Sequence, residues 1–555
     1  MAPLSENEAL RLVPLGGLGE FGLNALVIEC SEGLLLLDAG VMFPGAEMLG
    51  VDSVVPDFRY LAERQDRLRG IVLTHGHEDH IGALSFALQA ASAPVYGSRL
   101  TLGFARRRLQ ERGVSADLRV LSPGRPEEIG PFRVHAIRVA HSVLDSLAVA
   151  VETPRGVILA SGDFRMGGGV SDEDRTDAEA FARWGDRGVL ALLSDSTNVE
   201  WPGLTGSEDD VIPALEEVFA RTRGRVLVSC FATSIPRIQR AADIARRAGR
   251  AIAFVGRRMA QNAEVALDLG LLRIPSSDIL PTGALASAAP EKMCIFVSGS
   301  QAEPLSALST IGLGGHREVA IGPGDTVVLS ARVIPGHERA VSRLIGNLFR
   351  RGSEVVHPGT ARVHVSGHGS RGDLAELLRL TRPQYLVPVH GEYRMLVQHA
   401  RLGREVGLSA DRVLLVEDGE ALAFGPDGAW RAPRVPTGRV LLDRSGANGL
   451  EELVIRDRRH LSTDGIVVPI VVVDKESGRV EGAPEIVTRG FVDWGERAGL
   501  LEEAARLAVV AVEARSAQEQ ADPALTREKL KAELRRLFKK RTQRRPMVIP
   551  VVMEV

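Results

Sequence analysis

Cysteine is scarce in this chain. Cys30, Cys230 and Cys294 are the only three in 555 residues, and each lies in an apolar, strand-like run without a C-x-x-C pair. That excludes a disulfide framework and points to buried free thiols in a reducing compartment. Long apolar runs are missing too. Stretches such as Ile466–Val473 fall far below the length that spans a bilayer, so no membrane partner is expected. The opening MAPLSENEALRL has no basic segment followed by an apolar one, so no signal peptide is expected and the location reads as cytoplasmic. An excess of one charge is also absent. With 68 basic against 71 acidic residues the net charge is -3, which excludes a globally basic nucleic-acid binder and leaves room only for a local basic channel. Most basic residues are arginine, which suits bidentate phosphate contacts but fits a compositional bias of the genome equally well. There is no internal repeat and no low-complexity linker.

A length of 555 residues predicts two to four domains, and 45% hydrophobic with 25% charged residues describes a globular chain. From Arg11 to about Leu193 short apolar runs recur: Ala25–Glu29, Leu34–Leu37, Ile71–Leu73, Val134–Val139, Leu147–Val151, Val157–Ala160 and Val189–Leu193. Most stop at Gly, Pro, Asp or His, which is strand chemistry, while helical periodicity follows Asp79 and covers Leu100–Leu109. A layered α/β domain is expected over residues 1–205. From 206 to 360 the rhythm becomes that of a doubly wound parallel sheet: helices over Asp209–Ala220, Ile235–Ala248 and Gln261–Leu269 alternate with strands at Val226–Cys230, Ile252–Val255, Cys294–Ser298 and Thr326–Ser330. This reads as an insertion. The first style resumes over 361–449 with strands at Val363–Ser366 and Tyr385–Val389. Residues 450–555 form a tail domain with a strand at Ile466–Val473, helices near Arg497–Glu519 and Leu525–Lys540, and a last strand at Met547–Val552.

The segment Thr74-His75-Gly76-His77-Glu78-Asp79-His80 carries three imidazoles and two carboxylates directly after a strand-like run. His75 and His77, two apart on an extended turn, can face one ion; Asp79 and His80, opening the next helix, can face a second. Mixed nitrogen and oxygen donors suit zinc or manganese. Further ligands stand just past strand ends: His141 after VHAIRVA, Asp163 after GVILASG and His390 after YLVPV. Each alone is an ordinary cap or turn residue; their shared position at the carboxyl ends of strands unites them. Two divalent ions so held can clamp a phosphodiester and activate water. Gly17-Leu18-Gly19-Glu20-Phe21-Gly22 fits a dinucleotide fingerprint, with Asp38 at the right distance, but a strand rather than a helix follows, so the glycines read as a hairpin turn. Lys539-Lys540-Arg541 with Arg544 and Arg545 reads either as an RNA contact or as a solvated helix end. His337, His357 and His399 fit no ligand pattern.

HGHEDH with His141, Asp163 and His390 resembles the motif set of the metallo-β-lactamase superfamily, and Asp38 in LLLLDAG matches its first motif, a carboxylate that orients ligands. The insertion resembles the β-CASP domain of nucleases. GGLGEFGLN, FPGAEMLGVDSVVPD, LLSDSTN, SGSQAEPL, HVSGHGS, VPVHGEYRM, TRGF and RRPMVIPVVMEV extend the resemblance, to the ribonuclease J family, from residue 16 to 555. The resemblance implies an αββα sandwich with an inserted doubly wound β-CASP domain and a small α/β C-terminal domain. It implies RNA cleavage by 5′→3′ exonuclease and endonuclease action leaving a 5′-phosphate, in messenger decay and ribosomal RNA maturation. Asp195 and His368 would be the general acid/base pair, with donor and acceptor unassigned, and His364, Val365, Ser366, Gly367 and His368 would touch substrate. Ala232, Thr233 and Ser234 would hold a nucleotide phosphate, a segment that also reads as a plain helix N-cap. Backbone oxygens of Leu49 and Val51 with the Asp443 carboxylate would bind a structural calcium. A homodimer or homotetramer, a preference for 5′-monophosphate RNA, and partners in RNA decay or on the ribosome are implied as well. Two other readings stay open: a DNA-processing nuclease of the same fold, and a non-catalytic RNA-binding scaffold.

Overall fold

The computed structural model describes residues 9–45, 48–167, 175–334, 336–443, 449, 452–492, 497–514, 516 and 523–555. They fall into two compact units, one reaching to Phe43 and covering Val54–Val440, the other combining Pro44–Ser53 with Leu441–Val555.

In the first unit two sheets stack face to face. An eight-stranded sheet runs in the order Gly428–Arg431, Leu422–Gly425, Leu10–Gly16, Ala25–Cys30, Gly33–Leu37, Leu68–Val72, Val95–Gly97 and Leu118–Val120. A six-stranded sheet runs Tyr385–Val389, Ala191–Asp195, Gly156–Ala160, Leu147–Thr153, Phe132–Arg138 and Glu127–Ile129. Strand alternation sends Leu12, Ile28, Leu35 and Val72 from the first sheet, and Phe132, Val149, Ile158 and Leu193 from the second, into one shared core. The opposite face of the second sheet is covered by Ala178–Arg187, Arg371–Thr381 and Tyr393–Glu405, which contribute Phe181, Trp184, Leu374, Leu377 and Leu402. Both faces of these strands are buried, which is why they read as continuous apolar runs.

The insertion within this unit is a five-stranded sheet in the order Ala251–Val255, Met293–Val297, Val226–Ser229, Thr326–Leu329 and Glu354–Val356, parallel throughout. Helices Ile212–Arg221, Ile235–Arg247, Arg257–Asp268, Ala307–Leu313 and Glu338–Arg350 accompany it. The carboxyl ends of its central strands release the loops that begin at Cys230, Ser298 and Ser330.

Two expectations are corrected. Val363–Ser366 forms no strand: side chains take its carbonyls instead, Arg237 Nη1 (3.0 Å) and Ser330 Oγ (2.6 Å) donating to Val363 and Arg165 Nη1 (3.0 Å) to Ser366. The last strand is two pieces, Met547–Val548 and Val551–Glu554, because Pro550 has no N–H for the ladder. The glycines after Leu15 turn the chain between the antiparallel strands Leu10–Gly16 and Ala25–Cys30, and Leu18–Gly19 also pairs with Gly391–Glu392.

In the second unit Ile466–Val473 is central, antiparallel to Glu485–Arg489 and parallel to the two terminal pieces. Val467, Val471 and Val473 face a core with Phe491, Ala504, Ala508, Val512, Leu530, Leu534 and Phe538 from helices Arg497–Glu513 and Pro523–Thr542 and the preceding turn. The alternate residues Ile466, Val468, Ile470 and Val472 are only half-buried. Of the basic run, Arg541 is tied to Glu503 (2.7 Å) and Arg544 to the Phe491 carbonyl (2.6 Å). Glu519 lies outside the described residues. The Leu49 carbonyl accepts from Arg458 Nη1 (3.2 Å), as does that of Gly50 (3.1 Å), and Val51 is buried. No described helix is long and apolar enough to cross a membrane.

Candidate metal centre and catalytic pair

Five segments deliver the candidate ligands and Asp195, and the strands that carry them fix where. Leu68–Val72 ends and Thr74–His77 follows; His77 is extended (φ -73°, ψ 151°) and caps the helical turn Glu78–Ile81, which carries Asp79 and His80. His141 follows Phe132–Arg138, Asp163 follows Gly156–Ala160, Asp195 ends its strand and His390 follows Tyr385–Val389. Parallel pairing of Ala191–Asp195 with both neighbours brings Asp163, Asp195 and His390 to one sheet edge.

Asp163 is the hub. Its Oδ2 stands 3.5 Å from His75 Nε2, 3.4 Å from His80 Nε2, 3.8 Å from His141 Nε2 and 3.6 Å from His390 Nε2. Ligand atoms of His75, His77, His141 and Asp163 lie within 4.8 Å of one another, as do those of Asp79, His80 and His390. Asp163, Asp195, His368 and His390 form a third such group. Imidazole nitrogens face each other directly, His77 Nδ1 lying 3.0 Å from His75 Nε2 and 3.2 Å from His141 Nε2. Buried acceptors converging with so few donors between them suit cations, and the donor set fits divalent metal.

At His75, His77 and His141 protonation agrees with that fit. Burial holds His75 and His141 well below the usual imidazole range and His77 down to about 4, so all three stay neutral, the state in which imidazole binds metal. Around the carboxylates the balance reverses. Burial would neutralise Asp163, yet the surrounding histidines outweigh it and hold the group well below the usual carboxylate range. Burial likewise opposes a charged His390, but Asp163 and Asp195 win and raise it to about 10, a proton that a cation bound there would have to displace.

Backbone shape is spent on the same geometry. Asp38 (φ 60°) and His390 (φ 54°) are left-handed, a conformation costly outside glycine. A Cβ on Gly40 would lie 1.5 Å from the Asp79 carbonyl, and one on Gly367 2.7 Å from the His141 ring, so both positions admit only glycine. Asp38 accepts from Thr74 N–H (2.8 Å), Thr74 Oγ1 (2.9 Å) and His80 Nδ1 (2.8 Å), which leaves His80 Nε2 directed at the hub.

Beside the cluster, His368 Nδ1 lies 2.9 Å from Asp195 Oδ2. Asp195 is 1% exposed and also accepts from Thr197 N–H (2.9 Å) and Oγ1 (2.7 Å). The His368 side chain remains 21% exposed; burial lowers its pKa, but Asp195 and Asp163 outweigh this and raise it. The Gly367 carbonyl accepts from His141 Nδ1 at 2.9 Å, and Ser366 Oγ accepts from Asn198 Nδ2 at 2.8 Å. Val365 is buried; His364 is half-buried, its pKa lowered by burial to about 3, and its Nδ1 is one of the buried atoms with no hydrogen-bond partner. Ala232 and Thr233 are half-buried and Ser234 buried, at the start of Ile235–Arg247, and Ser234 makes no side-chain cap hydrogen bond. Phe231, just before them, meets the His77 ring edge-on at 6.4 Å between centroids.

Several supporting residues escaped the sequence. Asn24 Nδ2 donates to the Asp79 carbonyl (2.9 Å), Thr197 Oγ1 meets His390 Nδ1 (2.8 Å), and Ser161 Oγ accepts from Asp195 N–H (3.0 Å). Ser196 Oγ meets the buried His399 at Nδ1 (3.0 Å). They lie within the quoted stretches GGLGEFGLN, GVILASG and LLSDSTN, but as polar turn residues nothing in the sequence singles them out.

Comparison with known proteins finds four stretches of the chain that match family models. Residues 18–212 match the metallo-beta-lactamase superfamily, 223–348 the ribonuclease J beta-CASP domain, 355–413 the Zn-dependent metallo-hydrolase RNA specificity domain and 453–555 the ribonuclease J C-terminal domain. The chain is 36% identical over 550 residues to ribonuclease J2 of Bacillus subtilis (strain 168), covering 99% of each. It is 39% identical over 496 residues to ribonuclease J of Synechocystis sp. (strain ATCC 27184 / PCC 6803 / Kazusa), covering 89% of this chain and 77% of that one. A crystal structure of a protein of unknown function from Enterococcus faecalis V583 aligns with a TM-score of 0.54 at 15% identity, over 75% of this chain and 100% of the other, a likeness of fold alone.

Proposed function

The chain belongs to the ribonuclease J family, a metal-dependent nuclease acting on RNA, and from that premise we propose that it is a two-metal ribonuclease with both 5′→3′ exonuclease and endonuclease activity. The reading is carried by the convergence of His75, His77, Asp79, His80, His141 and His390 on Asp163, with the His368–Asp195 pair at its side. His75, His77, His141 and Asp163 would hold one cation and Asp79, His80, His390 and Asp163 the other, zinc or manganese by donor type. Bound there, the cations supply Lewis-acid charge for the phosphoryl oxygens and lower the pKa of water.

The chain's own groups divide the remaining work. Asp195, enclosed by donors, orients His368, and the partly exposed His368 carries the proton to the leaving 3′-oxygen, so the products are a 5′-phosphate and a 3′-hydroxyl. Ala232–Ser234, with a hydroxyl not spent on capping, and Ser366–His368 would enclose a 5′-monophosphate; a triphosphate is longer and more charged, and a closed pocket rejects it. The half-buried apolar face of Ile466–Val473 supports self-association as a homodimer or homotetramer. Messenger decay and ribosomal RNA maturation in the cytoplasm, with partners from those processes, complete the proposal.

The test compares matched RNA and DNA oligonucleotides bearing 5′-monophosphate or 5′-triphosphate, alongside the metal content of the purified protein. Metal-dependent cleavage of RNA, fastest from the monophosphate end, is expected. Preferential DNA cleavage would favour the DNA-processing reading, and intact RNA with no bound metal the scaffold reading.

A further inference from the structure

Trp201 and Arg332 stand together at the edge of the catalytic pair, and neither belongs to a metal-ligand or phosphate motif. Trp201 is 52% exposed, which is unusual for so large an apolar ring. The Arg332 guanidinium carbon lies 4.4 Å from its ring centroid. Arg332 is exposed and pairs with no carboxylate among the described residues; partial desolvation alone lowers its pKa. A cation left without an acid, in a chain rich in Arg–carboxylate pairs, is free for an external anion.

The pair is also held in place. Arg332 Nη1 donates to Asn198 Oδ1 (3.2 Å), and the Arg332 carbonyl accepts from Gln301 Nε2 (2.9 Å). Trp201 N–H donates to the Asn198 carbonyl (2.9 Å). Asn198 in turn donates through Nδ2 to Ser366 Oγ (2.8 Å) and to the His368 carbonyl (3.0 Å), and it lies three residues beyond Asp195. Asn198 thus joins the unpaired cation, through its amide side chain, and the backbone of Trp201, through its carbonyl, to the segment that presents His368. Arg332 follows the strand Thr326–Leu329, neighbour of Val226–Ser229, whose own following loop carries Ala232–Ser234.

We propose that Trp201 and Arg332 form a binding subsite for one nucleotide of single-stranded RNA, the indole stacking on a base and the guanidinium contacting the adjoining phosphate. A ring face accepts any base, so the subsite grips without choosing sequence. Fixing the strand beside His368 holds the scissile bond in line with the metal cluster. The inference rests on the ribonuclease reading and assigns residues within it.

The test measures binding of a fluorescently labelled 5′-monophosphate oligoribonucleotide by anisotropy in EDTA, and kcat and KM with metal restored. Trp201→Ala is expected to weaken binding about tenfold, the range of one base–aromatic stack, while Trp201→Phe keeps most of it. Arg332→Gln should weaken binding and reduce the slope of log K against log salt by about 0.7, one phosphate contact on a single strand. Arg332→Lys should keep that slope. In turnover the loss should fall on KM more than on kcat. Wild-type affinity and salt slope in Trp201→Ala and Arg332→Gln, with wild-type protein cleaving RNA normally, would overturn the subsite and leave the ribonuclease reading intact. Wild-type protein that neither binds nor cleaves RNA would overturn both. If Trp201→Ala fails to fold, Trp201→Phe and the two arginine variants decide the matter by salt slope and KM.

Discussion

Replacing Asp38 by asparagine changes a single protonation rule at the metal centre. Asp38 Oδ1 accepts the Thr74 N–H, which only an oxygen can do, so an asparagine must place its oxygen there and its amide nitrogen where Oδ2 stood. That nitrogen then faces Thr74 Oγ1 and His80 Nδ1 as a donor. His80 is driven to the tautomer protonated on Nε2, the atom 3.4 Å from Asp163 Oδ2, and a protonated nitrogen cannot ligate. Asparagine also tolerates the left-handed backbone at φ 60°, so the fold should lose little. Alanine behaves differently. It adds about 1 kcal/mol of left-handed strain and leaves the buried Thr74 N–H and the His80 proton without acceptors, at about 1–3 kcal/mol each. The total, about 3–7 kcal/mol, approaches the whole margin of an ordinary domain. Urea unfolding in EDTA should therefore show Asp38→Asn near wild type and Asp38→Ala strongly destabilised. Competition with a zinc indicator should show Asp38→Asn weakened about 10–100-fold at one of two sites, with activity falling in step. Wild-type metal affinity in Asp38→Asn would refute the tautomer argument.

Thr233→Trp should slow mononucleotide release from 5′-monophosphate RNA far more than internal cleavage, read on one labelled RNA; equal loss of both would remove the end-pocket assignment. Asp418 tests pH linkage. Burial raises its pKa to about 7, so the fold favours the neutral acid, and the stability it contributes is full below about pH 4 and lost as pH rises to about 7. Asp418→Asn should gain about 1–2 kcal/mol over wild type at pH 8, discounted because the carboxyl is only partly buried, and nothing at pH 4; an equal difference at both pH values in chemical denaturation would contradict this. Val468→Lys combined with Val472→Lys, on the half-buried face of the central C-terminal strand, should shift light scattering toward the monomer, and an unchanged mass would exclude that face from the interface.

Much was readable in one dimension because the chemistry is local. HGHEDH packs five candidate groups into six residues, and its separation by a strand and a helical turn fixes which side chains can face together. Burial of both faces of the first unit's strands produces apolar runs that announce them, and the change to helix–strand alternation marks the insertion. The Ser234 side chain was ambiguous, since an N-cap and a phosphate contact draw on the same residue types; in the fold it makes no side-chain cap bond.

What the sequence determined by itself was therefore the inventory: the candidate ligands, the order of strands that carry them and the family. What only tertiary structure decided was which groups meet. Asp163 becomes the hub because parallel pairing aligns strand ends far apart in the chain, and no spacing rule predicts a centre shared by His75 and His390. Val363–Ser366 looks like a strand, but Arg165, Arg237 and Ser330 claim its carbonyls, a competition invisible until the chain is folded. Pro44–Ser53 joins the C-terminal unit across about 400 residues of sequence. Trp201 and Arg332 carry no motif, and Asn198 only closes LLSDSTN; their meeting beside His368 depends on long-range packing, which local residue chemistry does not encode.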